Sequence, residues 1–399
     1  MKMRKLADQT KWMLCSLVLS VAVPTAASAA GTKIIYNFTG GSDGATPLSP
    51  LTPDGFGNVY GMTQQGGGVA SCPLLDGCGT IFKIDRAGNL TTLHAFASGT
   101  DGQTPQQGVG LTLIGHVLYG NVPGGSSGES YSEFFSIHPD GSDYQILYGT
   151  TLAQCEELVG VLQPAPGGLA FGVCGPGGGK FGRGTLIHLG AAKGLTVIHE
   201  FAGGTDGDDP TYLIQDSHHK LFGSTYSGGQ CATFTKGCGT VFEYDPTTNA
   251  YTVLYAFQNG TDGYAPLIGA AGSDGTLYGV TQFGGADHHG ALFALTPNGT
   301  SYSFSVLSPV ISDLHGDGAR NPPVLSPDGA LVGGTAFGGT YLFQSGRYTI
   351  SYSNAYPEPD GQFLIPSTRP DAILATSQQN GTSSVCTLSG GCGFIYYQQ

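Results

Sequence analysis

Between Tyr251 and Thr300, four short runs rich in β-branched and aromatic residues alternate with clusters of Gly, Asp, Asn and Pro (YTVLYAF-QNGTDGYAP-LIGAA-GSDG-TLYGVT-QFGGADHHG-ALFALTPNGT). Runs of this length and composition, bounded by turn formers, predict β-strands. Asp274-Gly275 and Asn298-Gly299 predict tight hairpin turns, because Gly, Asn and Asp reach positive φ at low cost. The stretch therefore predicts one antiparallel sheet of four strands. No apolar pattern of period 3.6 follows residue 30, so almost no helix is expected.

The rest of the chain carries imperfect copies of this unit. The run ending in Phe257 has counterparts at Ile34–Phe38, Thr92–Phe96, Gln145–Thr150, Val197–Phe201, Phe304–Leu307 and Tyr348–Ser353. A Gly/Asp/Pro segment follows most of them: GGSDGATP at 40–47, SGTDGQTP at 98–105, GGTDGDDP at 203–210, NGTDGYAP at 259–266 and the degraded HGDGARNPP at 315–323. A third-strand run closes each unit, as at Gly79–Ile84, Gly239–Tyr244 and Gly393–Tyr397. Seven units of about 50 residues point to a repeat architecture, and four antiparallel strands per unit form the blade of a β-propeller. The expected fold is all-β, a seven-bladed β-propeller of four-stranded antiparallel blades. The last unit is degenerate, so six or eight blades stay open. The copies begin with a lone outer-type strand, Lys33–Phe38, and end with a third-type strand, Phe394–Tyr397. Pairing of those two would close the ring and cover exposed edges.

The combination LYG-T, GG, GCGT-[IV]-F and F-x-GGTDG-x-x-P resembles the GloVer tandem-repeat proteins, an exported bacterial group. The resemblance covers residues 33–399 and is sharpest in the first, fourth and fifth units. It implies a repeat fold and export, with no activity or catalytic residues to carry over.

Targeting and cysteine usage add a compartment. Lys2, Arg4, Lys5 and Lys11 precede an apolar run from Trp12 to Val23 and then Ala27-Ser28-Ala29. That order predicts a secretory signal peptide over residues 1–29, leaving 30–399 as one β-propeller domain. Beyond Cys15, inside the leader, eight cysteines remain. Cys72/Cys78, Cys231/Cys238 and Cys386/Cys392 are local pairs, and Cys155 and Cys174 pair by elimination. Disulfides fit an oxidising compartment, whereas CxxC spacing for a metal is absent. The expected location is the periplasm or the cell exterior, with no stable membrane insertion.

Charge narrows the partners. The full chain has a formal charge of −13. Removing the leader leaves 11 basic against 27 acidic residues, or −16. An acidic surface repels phosphate backbones, so nucleic acid is excluded as an expected partner, and polyanionic glycans are disfavoured. A glycan or a protein is the expected ligand of a monomer. No cofactor or metal is expected.

Candidate chemistry is sparse. The loops sort onto two faces: short hairpin turns on one, and the second-to-third-strand loops with the DG-x-x-P segments on the other. Variable loops on a rigid scaffold are where ligands bind. The repeated Asp43, Asp101, Asp206, Asp262 and Asp317, with Asp360, read as turn-forming carboxylates, since a copied residue makes no asymmetric site. His94 and His199 occupy the slot of Tyr36, Tyr148 and Tyr255 and read as packing aromatics. His138 and His188 read as mostly solvated. His288 and His289 sit in the long loop of the fifth unit, and His315 and Arg320 in the connection after it. Neutral imidazole can act as a general base, so these four are the catalytic candidates. No GxSxG, HExxH or phosphate-cradling glycine motif is present. The expected function is a binding or scaffold module. The alternatives are a polysaccharide lyase or hydrolase using the four candidates, and a purely structural envelope protein.

Overall fold

A computed structural model describes residues 32–47, 49–70, 72, 74, 76–106, 108–124, 131–166, 169–190, 194–231, 234–310, 318–319, 321–335, 339–352, 364–366, 373–377, 386 and 392–398. The leader expected over residues 1–29 lies outside them. Among the described residues there are only strands and two 3-10 turns, Gly99–Asp101 and Gly204–Asp206. The strands hydrogen-bond into seven antiparallel sheets. The fourth is representative: Asp208–Gln215, Leu221–Ser227, Thr240–Asp245 and Ala250–Ala256 lie side by side in chain order.

The first sheet departs from the expected four strands. Ala45–Pro47 and Thr52–Pro53 both pair with Val59–Gln65, giving five. Pro47, Pro50 and Pro53 each lack a backbone N–H, so one continuous ladder cannot form there. In the sheet drawn from both ends of the sequence, Thr32–Asn37 pairs antiparallel with Phe394–Gln398, which pairs in turn with Ile373–Ser377.

Two contacts explain the repeated motifs. In the second strands, Gly61, Gly120, Gly223 and Gly279 stand opposite Phe82, Phe135, Phe242 and Phe293 of the third strands. A methyl group on Gly223 would sit 2.2 Å from the Phe242 ring. The glycine of LYG and the phenylalanine of the third strand are therefore two halves of one cross-strand contact. The second contact joins neighbouring sheets. Gly79, Gly184 and Gly239, which open third strands, have φ of 91°, 95° and 93°. The proline rings of the following DG-x-x-P segments, Pro105, Pro210 and Pro266, press on them, 2.9, 2.4 and 2.4 Å from where a side chain would start.

The residue before each of these prolines adds a bond. Thr104, Asp209 and Ala265 have positive φ and donate their N–H to Cys78, Arg183 and Cys238 carbonyls of the preceding sheet, at 2.8, 3.0 and 2.9 Å. Thr46, also at positive φ, donates likewise to the Cys392 carbonyl at 3.0 Å, linking the sheet of the two ends to the first sheet. A non-glycine residue pays for positive φ, and the inter-sheet bond offsets that strain.

The core lies between sheets. Phe38, Phe96, Phe201 and Phe257, each the residue directly after an outer strand, are fully buried. Below them, the Thr63–Thr80 and Thr225–Thr240 hydroxyl pairs are buried at 2.9 Å. First strands face a shared cavity of about 440 Å³ lined by Leu51, Leu111, Leu162, Leu213, Ile268 and Val324. Neighbouring first strands are bonded around it: the Thr52 and Thr112 hydroxyls donate to the Leu111 and Leu162 carbonyls, and the Gln163 amide to Leu213.

Candidate functional site

The repeated aspartates are consumed by architecture. Asp43, Asp101, Asp206 and Asp262 each accept the backbone N–H four residues earlier, from Thr39, Ala97, Ala202 and Gln258, at 2.7–2.8 Å. Each also meets the aromatic seven residues earlier: the Tyr36 and Tyr255 hydroxyls donate to Asp43 and Asp262, and His94 and His199 contact Asp101 and Asp206 through Nε2. The same rings clamp the next sheet. His94 stacks on Tyr144 at 3.7 Å, His199 on Tyr251 at 3.8 Å, and Tyr255 on Phe304 at 4.1 Å. A carboxylate that gathers a turn N–H and an inter-sheet aromatic has little left for a ligand.

Titration follows this bonding. Burial works to raise Asp206, but the hydrogen bonds from His199 and the Ala202 N–H prevail and hold its carboxyl below the ordinary range. Tyr36 is pushed up to about 12, by burial first and then by the charge and hydrogen bond of Asp43. Its folded pKa is raised, so the contribution is complete below pH ~10 and is lost as pH climbs toward the folded value. Replacing Asp262, which is 7 % exposed and also accepts the Gly260 N–H, by alanine strands the Tyr255 hydroxyl and two amides. The expected cost is about 2–4 kcal/mol in urea denaturation, against under about 1 kcal/mol for an exposed turn aspartate such as Asp140.

Four disulfides form, Cys72–Cys78, Cys155–Cys174, Cys231–Cys238 and Cys386–Cys392. The local pairs brace the loop ahead of a third strand. The loops and the DG segments share one face, since Gly67, Gly229 and Gly285 donate N–H to Gly41, Gly204 and Gly260 carbonyls.

His288 is exposed at positive φ in such a loop, and His289 is half-buried, bridged through its backbone to Gly284. Gly318 of the following connection packs against the His289 carbonyl. His315 and Arg320 lie outside the described residues, as do Asp317 and Asp360. Among the described residues no cluster of three or more His, Cys, Asp and Glu could hold a metal. His188 is less solvated than expected: it lies over Phe171 with ring centroids 4.9 Å apart, and burial lowers its pKa.

The asymmetric feature lies elsewhere on the long-loop face, across the third, fourth and fifth sheets. Phe234 and Tyr264 have ring centroids 4.9 Å apart, and Tyr264 stacks on Phe283 at 5.1 Å. Phe234, Phe283 and the nearby Tyr226 are each just over 40 % exposed, forming an aromatic shelf. Beside it opens a cleft of about 410 Å³ lined by Phe181, Arg183, Asp208, Asp209, Ser227 and Lys236, among others. The disulfide-bound loop joins the two, with Phe234 on the shelf and Thr235 and Lys236 on the cleft wall. Arg183 is ion-paired with Asp208. Burial, and then the charge of Asp208, push Asp209 up to about 6, with Lys236 opposing. The signal was present in the repeat alignment: Asp208-Asp209 stands where other units have Ala45-Thr46, Gln103-Thr104 and Tyr264-Ala265.

Residues 117–347 match the model of the Gloeobacter/Verrucomicrobia repeat. The chain belongs to that family. Its motif glycines, phenylalanines and aspartates are the contacts described above, so the Gloeobacter/Verrucomicrobia repeat is here a four-stranded sheet together with the bonds that join it to the next. Proteins with curated descriptions give no match. Solved structures do. The β-propeller domain of Cps50 (Swd1) from Myceliophteria thermophila is 10% identical over 92% of this chain and 100% of its own, with a TM-score of 0.57. YCF48, solved bound to D1 peptide, is 11% identical over 89% of this chain and 94% of its own, with a TM-score of 0.52. At such identities the likeness is one of fold, and the fold is a β-propeller. Among the described residues no helix is long and apolar enough to cross a membrane.

Proposed function

We propose that this chain is an exported seven-bladed β-propeller, residues 30–399 forming one closed ring after removal of a leader, and that it binds a glycan on its long-loop face. Closure is supported by the pairing of Thr32–Asn37 with Phe394–Gln398 and by the Thr46-to-Cys392 bond, which repeats the bond between other neighbouring sheets. Export is supported by the basic–apolar–small pattern of the leader and by four disulfides, which persist in oxidising compartments.

The aromatic shelf carries the binding reading. Three large rings held half in water, on strands and a disulfide-bound loop, offer flat apolar surface matched to the faces of sugar rings. An apolar body with a polar rim is the composition of a recognition surface. Phe283→Ala and Phe234→Ala are each expected to weaken glycan binding at least ~10-fold, the loss of about 1.4 kcal/mol of contact. Glycan-array screening of the exported chain, followed by calorimetry of the variants against the best hit, makes the measurement. Absence of binding to any glycan, or variants that bind like the parent, would overturn the reading.

A further inference from the structure

The cleft beside the shelf has a chemistry of its own. Its four charged side chains are not equivalent. Arg183 and Asp208 neutralise one another. Lys236 is exposed at the lip. Asp209 is half-buried, and among the described residues it forms no ion pair and its carboxylate accepts no hydrogen bond, while its backbone is fixed at φ 62° by the bond to Arg183. The wall therefore holds one carboxylate with unmet bonding capacity, within a cavity of about 410 Å³ that also presents the 48 % exposed Phe181 ring. An anionic ligand would meet both aspartates and a strongly acidic chain, and a fully apolar one would strand the polar wall.

We infer that this cleft is a subsite for an amino sugar with a free ammonium group, the sugar ring lying on Phe181 or the neighbouring shelf and the ammonium paired with Asp209. The inference rests on the glycan reading above and adds the charge of the sugar to it. A charge-assisted hydrogen bond at a partly desolvated carboxylate is stronger than a neutral one, so the cleft discriminates between a free and an acetylated amine. The groups facing Asp209 are Asp208, Arg183 and Lys236. Asp208 favours the incoming cation, Arg183 is already paired, and Lys236 opposes it. Binding the ammonium requires the ionised carboxylate. Because Asp209 titrates at about 6, the preference for the amine weakens as pH falls through that value.

The test is calorimetric, on the whole exported chain, with glucosamine oligomers, their N-acetylated counterparts and galacturonate oligomers of equal length. The expected result is about tenfold tighter binding of the free amine than of the acetylated sugar, falling toward parity between about pH 6.5 and about pH 5. Asp209→Asn is expected to abolish the preference and its pH dependence, the two sugars then binding with affinities within about twofold of each other. Lys236→Ala, at an exposed position, is expected to increase the preference. Equal binding of both sugars by the parent chain, or tighter binding of galacturonate, would overturn the amino-sugar assignment and leave the glycan reading standing. Failure of all three sugars to bind, with an array that is also blank, would remove the glycan reading and this one with it.

Discussion

Gly239→Ala is expected to destabilise the protein by about 3–5 kcal/mol, combining backbone strain of about 1–3 kcal/mol with overpacking of similar size. Gly239 has φ of 93°, and an added methyl would lie 2.4 Å from Pro266 Cδ and 2.5 Å from the Thr225 carbonyl oxygen. Gly55 separates the two effects, because it has φ of 77° with nothing within 4 Å of the added methyl. Gly55→Ala therefore carries strain alone and should cost about 1 kcal/mol. Pro266→Ala combined with Gly239→Ala should recover part of the loss, a coupling readable in a double-mutant cycle. Urea denaturation of the four variants is the measurement. If Gly239→Ala were as mild as Gly55→Ala, the glycine–proline contact would not be what joins neighbouring sheets.

Deleting residues 32–38 is expected to cost more than about 4 kcal/mol and to make the chain prone to aggregate. The deletion removes the hydrogen-bonded partner of Phe394–Gln398 and the fully buried Phe38, whose ring packs on Phe82 at 5.2 Å. Loss of a buried phenylalanine side chain alone costs about 3–5 kcal/mol, and the bared strand becomes an edge that pairs with other copies. A synthetic peptide of residues 32–38 added in trans should restore part of the lost thermal stability. A truncated chain that unfolds at the same urea concentration as the parent, with no response to the peptide, would contradict a ring closed by its two ends.

Much of the fold was legible in the sequence because its signals are local. Strand runs such as Leu221–Ser227 announce themselves by composition and flanking turns. The aspartate of the DG segment reads as a turn former from a single unit, and His94 reads as a packing ring because tyrosine fills its slot in the copies. Contacts between units were not legible. Nothing local to Gly239 says that Pro266 lies on it, since two strands, Thr240–Asp245 and Ala250–Ala256, and a connection intervene before the chain returns. The aromatic shelf was hidden for the same reason. Tyr226, Phe234, Tyr264 and Phe283 come from two sheets and a braced loop, and each alone passes for an ordinary surface aromatic. Asp209 was legible only as an oddity, a second acid in a motif that elsewhere carries threonine or alanine before proline. The catalytic reading of His288, His289, His315 and Arg320 rests on imidazole chemistry and on two neighbouring loops meeting on one face, and Gly318 does pack against the His289 carbonyl, while His315 and Arg320 lie outside the described residues. The described part of that region shows His288 in solvent and His289 tied through its backbone.

The braced loop between Cys231 and Cys238 has one further consequence. Its sulfur bridge spans a separation of seven residues and fastens both ends where they leave the sheet. The loop's second half is also held to the backbone beyond the second strand, the Lys236 carbonyl accepting the Gly228 N–H at 2.6 Å and Gly237 leaving a side chain only 2.0 Å from the Gly228 oxygen. Among its described residues, the exposed side chains of Phe234, Thr235 and Lys236 are therefore the ones that can change without disturbing that backbone. The corresponding bridge at Cys72–Cys78 spans six. A library confined to the exposed side chains would sample new specificities on an unchanged framework, whereas replacing either loop whole would remove the close backbone contacts of Gly77 with Gly66 or of Gly237 with Gly228.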